Sequence, residues 1–152
     1  TGNNLVATSL CVLVSSIVMK LPLFLLYDLS FATENFILIN TPKTWLQAQE
    51  YCRTNHDDLA SVSDDGERQH LVDLLKSQSI IEAWIGLFRV PWTSWSDNTY
   101  TGFYNWDAEP TFYTTDDHCA YLSSSTGKWY EILCSDIFPF FCYRGEIMLC
   151  LS

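Results

Sequence analysis

The chain has 152 residues, 48% of them apolar and 15% aromatic, which is the size of one domain and enough to build a core, and it argues against disorder. It carries 8 Lys and Arg against 18 Asp and Glu, a formal charge of -10, so nucleic acid and anionic lipid surfaces should repel it. Six cysteines occur, Cys11, Cys52, Cys119, Cys134, Cys142 and Cys150, and no two form a CxxC pair, which argues against a zinc ribbon or a thioredoxin-type motif.

The N-terminal stretch is an export segment. Leu5 to Met19 runs 15 residues without charge, and Leu21 to Tyr27 continues it after Lys20. Ser30 and Ala32 then stand at the -3 and -1 positions of a signal-peptidase site. Met19-Lys20 as a start would give a compact signal peptide with Leu21 to Tyr27 as its apolar region. Alternatively, Leu5 to Tyr27 is a signal anchor, with Lys20 inside the span at a cost of about 2.5–3.5 kcal/mol. Cleavage predicts a secreted protein, and the anchor predicts a type II membrane protein with its domain outside the cell. Both place the remainder in an oxidising compartment, where cysteines pair rather than stay as buried free thiols. The expected organisation is an export segment over 1–32, a domain over 33–144 and a tail over 145–152.

Phe36-Ile37-Leu38-Ile39 reads as an edge strand, ended by a turn at Asn40-Thr41-Pro42. Thr44-Trp45-Leu46-Gln47 fits a capping box, with a helix to about Asn55 that turns Trp45, Ala48 and Cys52 to one face. A brief apolar segment, Leu59 to Val62, leads to a second helix start at Ser63-Asp64-Asp65. Leu71, Val72, Leu74 and Leu75 give that helix its apolar face, and it should end near Ser77. Ala83 to Leu87 is a buried strand. The stretch from Phe88 to His118 has little periodicity and is rich in Trp, Tyr, Thr and Asp. It predicts a long functional loop, with Trp92, Trp95 and Trp106 plugging it into the core. Cys119 to Leu122 and Lys128 to Cys134 form a hairpin about a Ser/Gly turn at Ser123–Gly127. Phe138 to Tyr143 is a last strand, which Pro139 places at an edge or a bulge.

The ordered pieces Lys43-Thr44-Trp45 with Ala48 and Cys52, Trp84-Ile85-Gly86-Leu87, Asn105-Trp106, Glu109-Pro110, Cys119, Gly127-Lys128-Trp129, Cys134 and Phe140-Phe141-Cys142 resemble the C-type lectin-like domain family, from about Phe36 to Tyr143. The resemblance implies an α+β fold, with two helices flanking small antiparallel sheets and a long loop region. It implies the short form of the domain, with Cys52 joined to Cys142 and Cys119 to Cys134. Cys11 lies in the export segment, and Cys150 is left as a free thiol, an intermolecular bridge or part of a truncated tail.

In sugar-binding members one calcium ion sits in the long loop, held by a Glu-Pro-Asn or Gln-Pro-Asp motif, a carboxylate before the next Cys, and an Asn-Asp pair after the hairpin Trp. Two sugar hydroxyls complete its shell of about 6–8 oxygens. Here the motif reads Glu109-Pro110-Thr111. Asp117 matches the acidic position, and the pair after Trp129 is Tyr130-Glu131. The carboxylates survive, but both amide ligands are lost. Glu109, Thr111, Asp117 and Glu131 are the candidate ligand set and a degenerate calcium site. Arg89 and Phe112 stand where a second family calcium site would need acids. The resemblance therefore implies an extracellular module that recognises a glycan or a cell-surface or extracellular protein, with calcium-independent or weakly calcium-dependent binding. The alternative is a conventional calcium-dependent lectin. No cofactor is expected apart from the open case of calcium.

Enzyme chemistry is not expected. GxSxG, HExxH and a glycine-rich phosphate loop are all missing from the sequence. His56, His70 and His118 are dispersed and read as surface residues. Glu109 with Asp117 imitates a glycosidase pair, but the lectin pattern accounts for their spacing better. The sequence has no Asn-x-Ser/Thr sequon for an N-glycan.

Overall fold

The computed structural model describes residues 35–89, 92, 94–100, 102–110 and 118–145, together with the backbone of Leu10–Leu13 and Met148–Leu151. The chain divides into two units, Phe36–Arg144 and a smaller one made from Thr1–Asn35 with Gly145–Ser152. In the smaller unit β1 (Leu10–Leu13) pairs antiparallel with the last strand, Met148–Leu151, in a register that sets Cys11 opposite Cys150. The rest of the expected export segment lies outside the described residues. Among the described residues no helix is long and apolar enough to cross a membrane.

The larger unit contains β2 (Phe36–Lys43), α1 (Trp45–Asn55), β3 (Asp58–Leu59), α2 (Asp65–Ser77), β4 (Glu82–Phe88), β5 (His118–Ser123), β6 (Trp129–Leu133) and β7 (Phe138–Tyr143); the Met148–Leu151 strand is β8. Six strands form one sheet in the order β2-β7-β4-β5-β6, with β3 also pairing to β7. All pairings are antiparallel except β4 with β7, which run parallel at Trp84 and Phe140. The fold is α+β as expected, with the two helices of the larger unit packed against a six-stranded sheet that is antiparallel except where β4 meets β7.

Successive strand residues point to opposite faces, and this divides the core in two. One layer gathers Ala83, Ile85, Leu87, Ala120, Leu122 and Trp129 of the sheet against Leu71, Val72 and Leu75 of α2. The other gathers Trp84, Cys119, Phe140 and Cys142 against Trp45, Ala48 and Cys52 of α1. Ala83 to Leu87 are all buried because β4 is central and covered on both sides.

Local sequence explains where the helices begin. The Thr44 hydroxyl accepts from Gln47 N at 3.4 Å, and Gln47 Oε1 accepts from Thr44 N at 3.3 Å, the reciprocal capping box. The indole of Trp45 then donates to Ile85 O at 2.8 Å, and the Cys52–Cys142 disulfide ties the next turns to β7. Asp64 caps α2 by accepting from Glu67 N at 2.9 Å.

Two details of β2 and β7 differ from the sequence reading. β2 continues through Asn40, Thr41 and Pro42 instead of turning there, and its register against β7 shifts between Ile39 and Lys43. Ile39 pairs with Phe140 and Lys43 with Phe138, so Pro139 alone faces the bulged residues. Pro139 therefore marks a bulge in a central strand and not an edge, and its missing N–H falls where the ladder is already interrupted.

Gly86 illustrates how closely the sheet carries the loop. Its N–H donates to Ala60 O and its carbonyl accepts from Ser96 N, both at 2.8 Å. A Cβ at this position would lie 2.9 Å from Ser96 Oγ and 3.2 Å from Ala60 O. Gly86→Ala is expected to destabilise the domain by about 1–3 kcal/mol through overpacking. Urea unfolding measures this, and an unshifted midpoint would mean that the backbone around Ser96 gives way freely.

Candidate functional site

The loop between β4 and β5 is built on tryptophans. Trp92 and Trp95 are buried and Trp106 is half-buried. Trp95, Phe103 and Trp106 meet the Trp129 ring edge-on at 5.5, 5.6 and 5.8 Å, and Trp92 meets Trp106 at 4.9 Å. The tryptophans are core plugs, as expected. Trp129 Nε1, at the centre of this cluster, is buried and has no hydrogen-bond partner among the described residues.

A small hairpin organises the first part of the loop. Leu87 bridges Trp95, Ser94 bridges Tyr100, and Trp95 N donates to Thr99 O at 2.9 Å. Asn98 turns the chain at φ 67°, a left-handed conformation that asparagine tolerates, and Asp97 accepts from both Thr99 N and Thr99 Oγ1. Tyr100 and Tyr104 stand exposed at 75% and 46% on the outside.

The hairpin is anchored by a polar network that the sequence reading missed. Asp58 is buried, and its carboxylate receives Arg53 Nε at 3.0 Å, Ser96 Oγ at 2.7 Å and Leu59 N at 2.7 Å. Arg53 also donates to Ser96 O at 2.8 Å. A buried carboxylate needs such partners. The one hint in the sequence is an acid placed directly before the apolar Leu59-Ala60.

The second part of the loop runs beside β6. Trp129 N donates to Asn105 O at 3.0 Å, Asp107 N donates to Trp129 O at 3.1 Å, and Trp106 bridges Trp129 in parallel. The Asn105 side chain donates to Gly127 O at 2.6 Å and accepts from Lys128 Nζ at 3.0 Å. This brings Glu109 to the surface four residues after Asn105, followed by a half-buried Pro110.

Glu131 and Tyr130 do not share a side of the sheet. Trp129 and Glu131 pair with Leu122 and Ala120, whose layer faces α2 and the loop tryptophans. Tyr130 pairs with Tyr121 and stacks on it at 5.3 Å, and Tyr121 stacks in turn on Phe138 at 5.3 Å. The Tyr130 hydroxyl donates to Thr126 Oγ1 at 3.1 Å. Burial, reinforced by the negative charge of Glu82 and by Tyr130 and Asp107, holds the Tyr121 hydroxyl above the ordinary tyrosine value. Thr111, Asp117 and Phe112 lie outside the described residues. Arg89 sits at the base of the loop, with its N–H on His118 O at 3.0 Å. Among the described residues no three His, Cys, Asp or Glu side chains gather as a metal site.

Cys52 joins Cys142 and Cys119 joins Cys134, with Cα separations of 5.3 and 5.0 Å. These are the pairs that the family resemblance implied.

The fold, the two disulfides and the tryptophan-anchored loop define the class, and comparison with known proteins agrees. The family model of the lectin C-type domain matches residues 41–144, and the chain belongs to that family. It is 33% identical over 112 residues to the C-type lectin lectoxin-Enh4 of Pseudoferania polylepis, covering 66% of this chain and 70% of that protein. It is 28% identical over 127 residues to mouse regenerating islet-derived protein 3-alpha, covering 74% and 72% respectively. The crystal structure of human lithostathine superposes with a TM-score of 0.64 at 27% identity, over 72% of this chain and 83% of the other. The chain is thus a C-type lectin-like binding module.

Proposed function

We propose that the protein is an extracellular C-type lectin-like module that recognises a glycan or protein ligand through the long loop, with a weakened or lost calcium site. The observation that carries this reading is Tyr130. It stands where sugar-binding relatives need an amide ligand, and its ring is committed to the Tyr121–Phe138 stack on the sheet face away from Glu131. Thr111 offers only a hydroxyl in place of an amide or carboxylate, so the donor set fits calcium poorly. The charge of -10 disfavours nucleic acid and anionic membranes as partners, and the apolar segment ending at Tyr27, with Ser30 and Ala32 after it, supports export. No reaction chemistry belongs to this reading.

The second reading is a conventional calcium-dependent lectin. It is favoured by the exposed Glu109 before Pro110, by Asp117, and by Glu131 on the loop-side face. Calorimetric titration with calcium separates the two. The unmodified chain is expected to give weak heats or none at physiological calcium. The triple variant Thr111→Asn, Tyr130→Asn, Glu131→Asp is expected to gain a site, and Thr111→Asn alone to do less. Tight binding by the unmodified chain, lost on Glu109→Ala, would establish the conventional lectin instead.

A further inference from the structure

We propose that the trough between the bulged end of β2 and the outer face of α1 is a second saccharide subsite that needs no calcium. It is a shallow trough, open to solvent, of about 380 Å³, and none of its lining residues belongs to the long loop. Gln47, Glu50, Tyr51, Thr54 and Asn55 follow a spacing of three and four along α1, so they form one stripe. Such a stripe is ordinarily a solvated face. Here β2 runs on past its bulge and raises a wall at Lys43, whose carbonyl is held by the Trp84 indole at 2.9 Å.

Gln47, Tyr51, Thr54 and Asn55 are held in place, and the polar groups of the trough keep unused capacity. Tyr51 is set by its edge contact with Phe140 at 5.4 Å. The Lys43 ammonium lies 5.8 Å from the Tyr51 ring centre, with no carboxylate partner among the described residues. Gln47 uses its oxygen in the capping box, which leaves its NH₂ to donate. Asn55 uses its NH₂ on Tyr51 O at 2.8 Å, which leaves its oxygen to accept. Thr54 donates to Glu50 O and retains acceptor capacity, and the exposed Glu50 carboxylate accepts.

Two donors, three acceptors and an aromatic wall suit a ring that carries adjacent hydroxyls, because each hydroxyl both donates and accepts. The single ammonium and single carboxylate cancel, which favours a neutral saccharide over a sulfated, phosphorylated or sialylated one. The length of the stripe, from Gln47 to Asn55 on two turns of α1, suits one or two sugar units.

The test uses the full ¹⁵N-labelled chain in EDTA, titrated separately with the methyl glycosides of mannose, galactose, fucose and N-acetylglucosamine. At least one is expected to shift the Gln47 and Asn55 side-chain amide resonances saturably. Loss of one hydrogen-bonding group in Glu50→Ala or Lys43→Ala should weaken that binding about tenfold. Glu109→Ala should leave it unchanged. The proposal is overturned if no glycoside moves those resonances. It is also overturned if the shifts survive Glu50→Ala and vanish in Glu109→Ala, which would put the sugar on the long loop and leave the reading of that loop standing.

Discussion

Replacing Cys52 and Cys142 together by alanine is expected to cost the domain about 4–5 kcal/mol, more than removing the other disulfide. The bond closes a loop with a sequence separation of 90, whereas Cys119–Cys134 spans 15. In the chain-entropy description the longer loop is worth about 4.6 kcal/mol and the shorter about 3 kcal/mol. Cys52 and Cys142 are also fully buried, so alanine at both sites removes packing from the layer under α1. Against a typical total stability of about 5–15 kcal/mol, the first variant loses most of its margin at the lower end of that range and the second loses less. Urea unfolding of both variants without reductant measures the order. A reversed order would mean that the Cys119–Cys134 half supplies more of the domain's stability than its loop length implies.

Trp129→Ala is expected to lose about 3–5 kcal/mol and to free the long loop selectively. Trp129 is fully buried and receives Trp95, Phe103 and Trp106 edge-on, so truncation removes the surface on which the loop is built. Amide exchange should accelerate more in 94–107 than in β4 or β5. Trp129→Phe should cost less than half as much. The indole N–H has no partner among the described residues, so deleting it breaks no hydrogen bond and relieves an unpaired buried donor that costs about 1–3 kcal/mol. Equal losses in the two variants would show that this N–H is bonded after all.

The parts of the fold that were legible in the sequence are those set by local chemistry. The capping box at Thr44 and Gln47 and the spacing of Trp45, Ala48 and Cys52 fix α1, and Asp64 with Leu71, Val72 and Leu75 fixes α2. The unbroken apolar run Ala83 to Leu87 marks a strand covered on both faces. What escaped depends on partners distant in the chain. Pro139 allowed an edge or a bulge, and only the register against Ile39 and Lys43 decides between them. Asp58 reads as an ordinary surface acid until Ser96, 38 residues away, is folded against it. In the candidate site, Tyr130 was visible as a departure from the lectin pattern, but its stack on Tyr121 follows from cross-strand pairing that periodicity cannot supply. The hairpin at Ser94 to Tyr100 carries no alternation, because turn chemistry at Asp97 and Asn98 and the burial of Trp95 hold it.

The pairing of Phe36 with Tyr143 brings the two ends of the domain out side by side, with mechanical consequences. Tension applied through both ends does not shear the β2–β7 ladder along its length. It opens the ladder like a zip, one pair of hydrogen bonds after another, from Phe36 and Tyr143 inward. The opening soon meets the Cys52–Cys142 bond, which carries the load directly and shields everything between those residues. Only the stretch from Phe36 to Tyr51, 16 residues, can be drawn out on the N-terminal side. A domain held by both ends under flow or between surfaces can therefore lengthen by no more than about 50–60 Å of drawn-out chain, while the chain between Cys52 and Cys142 carries no load.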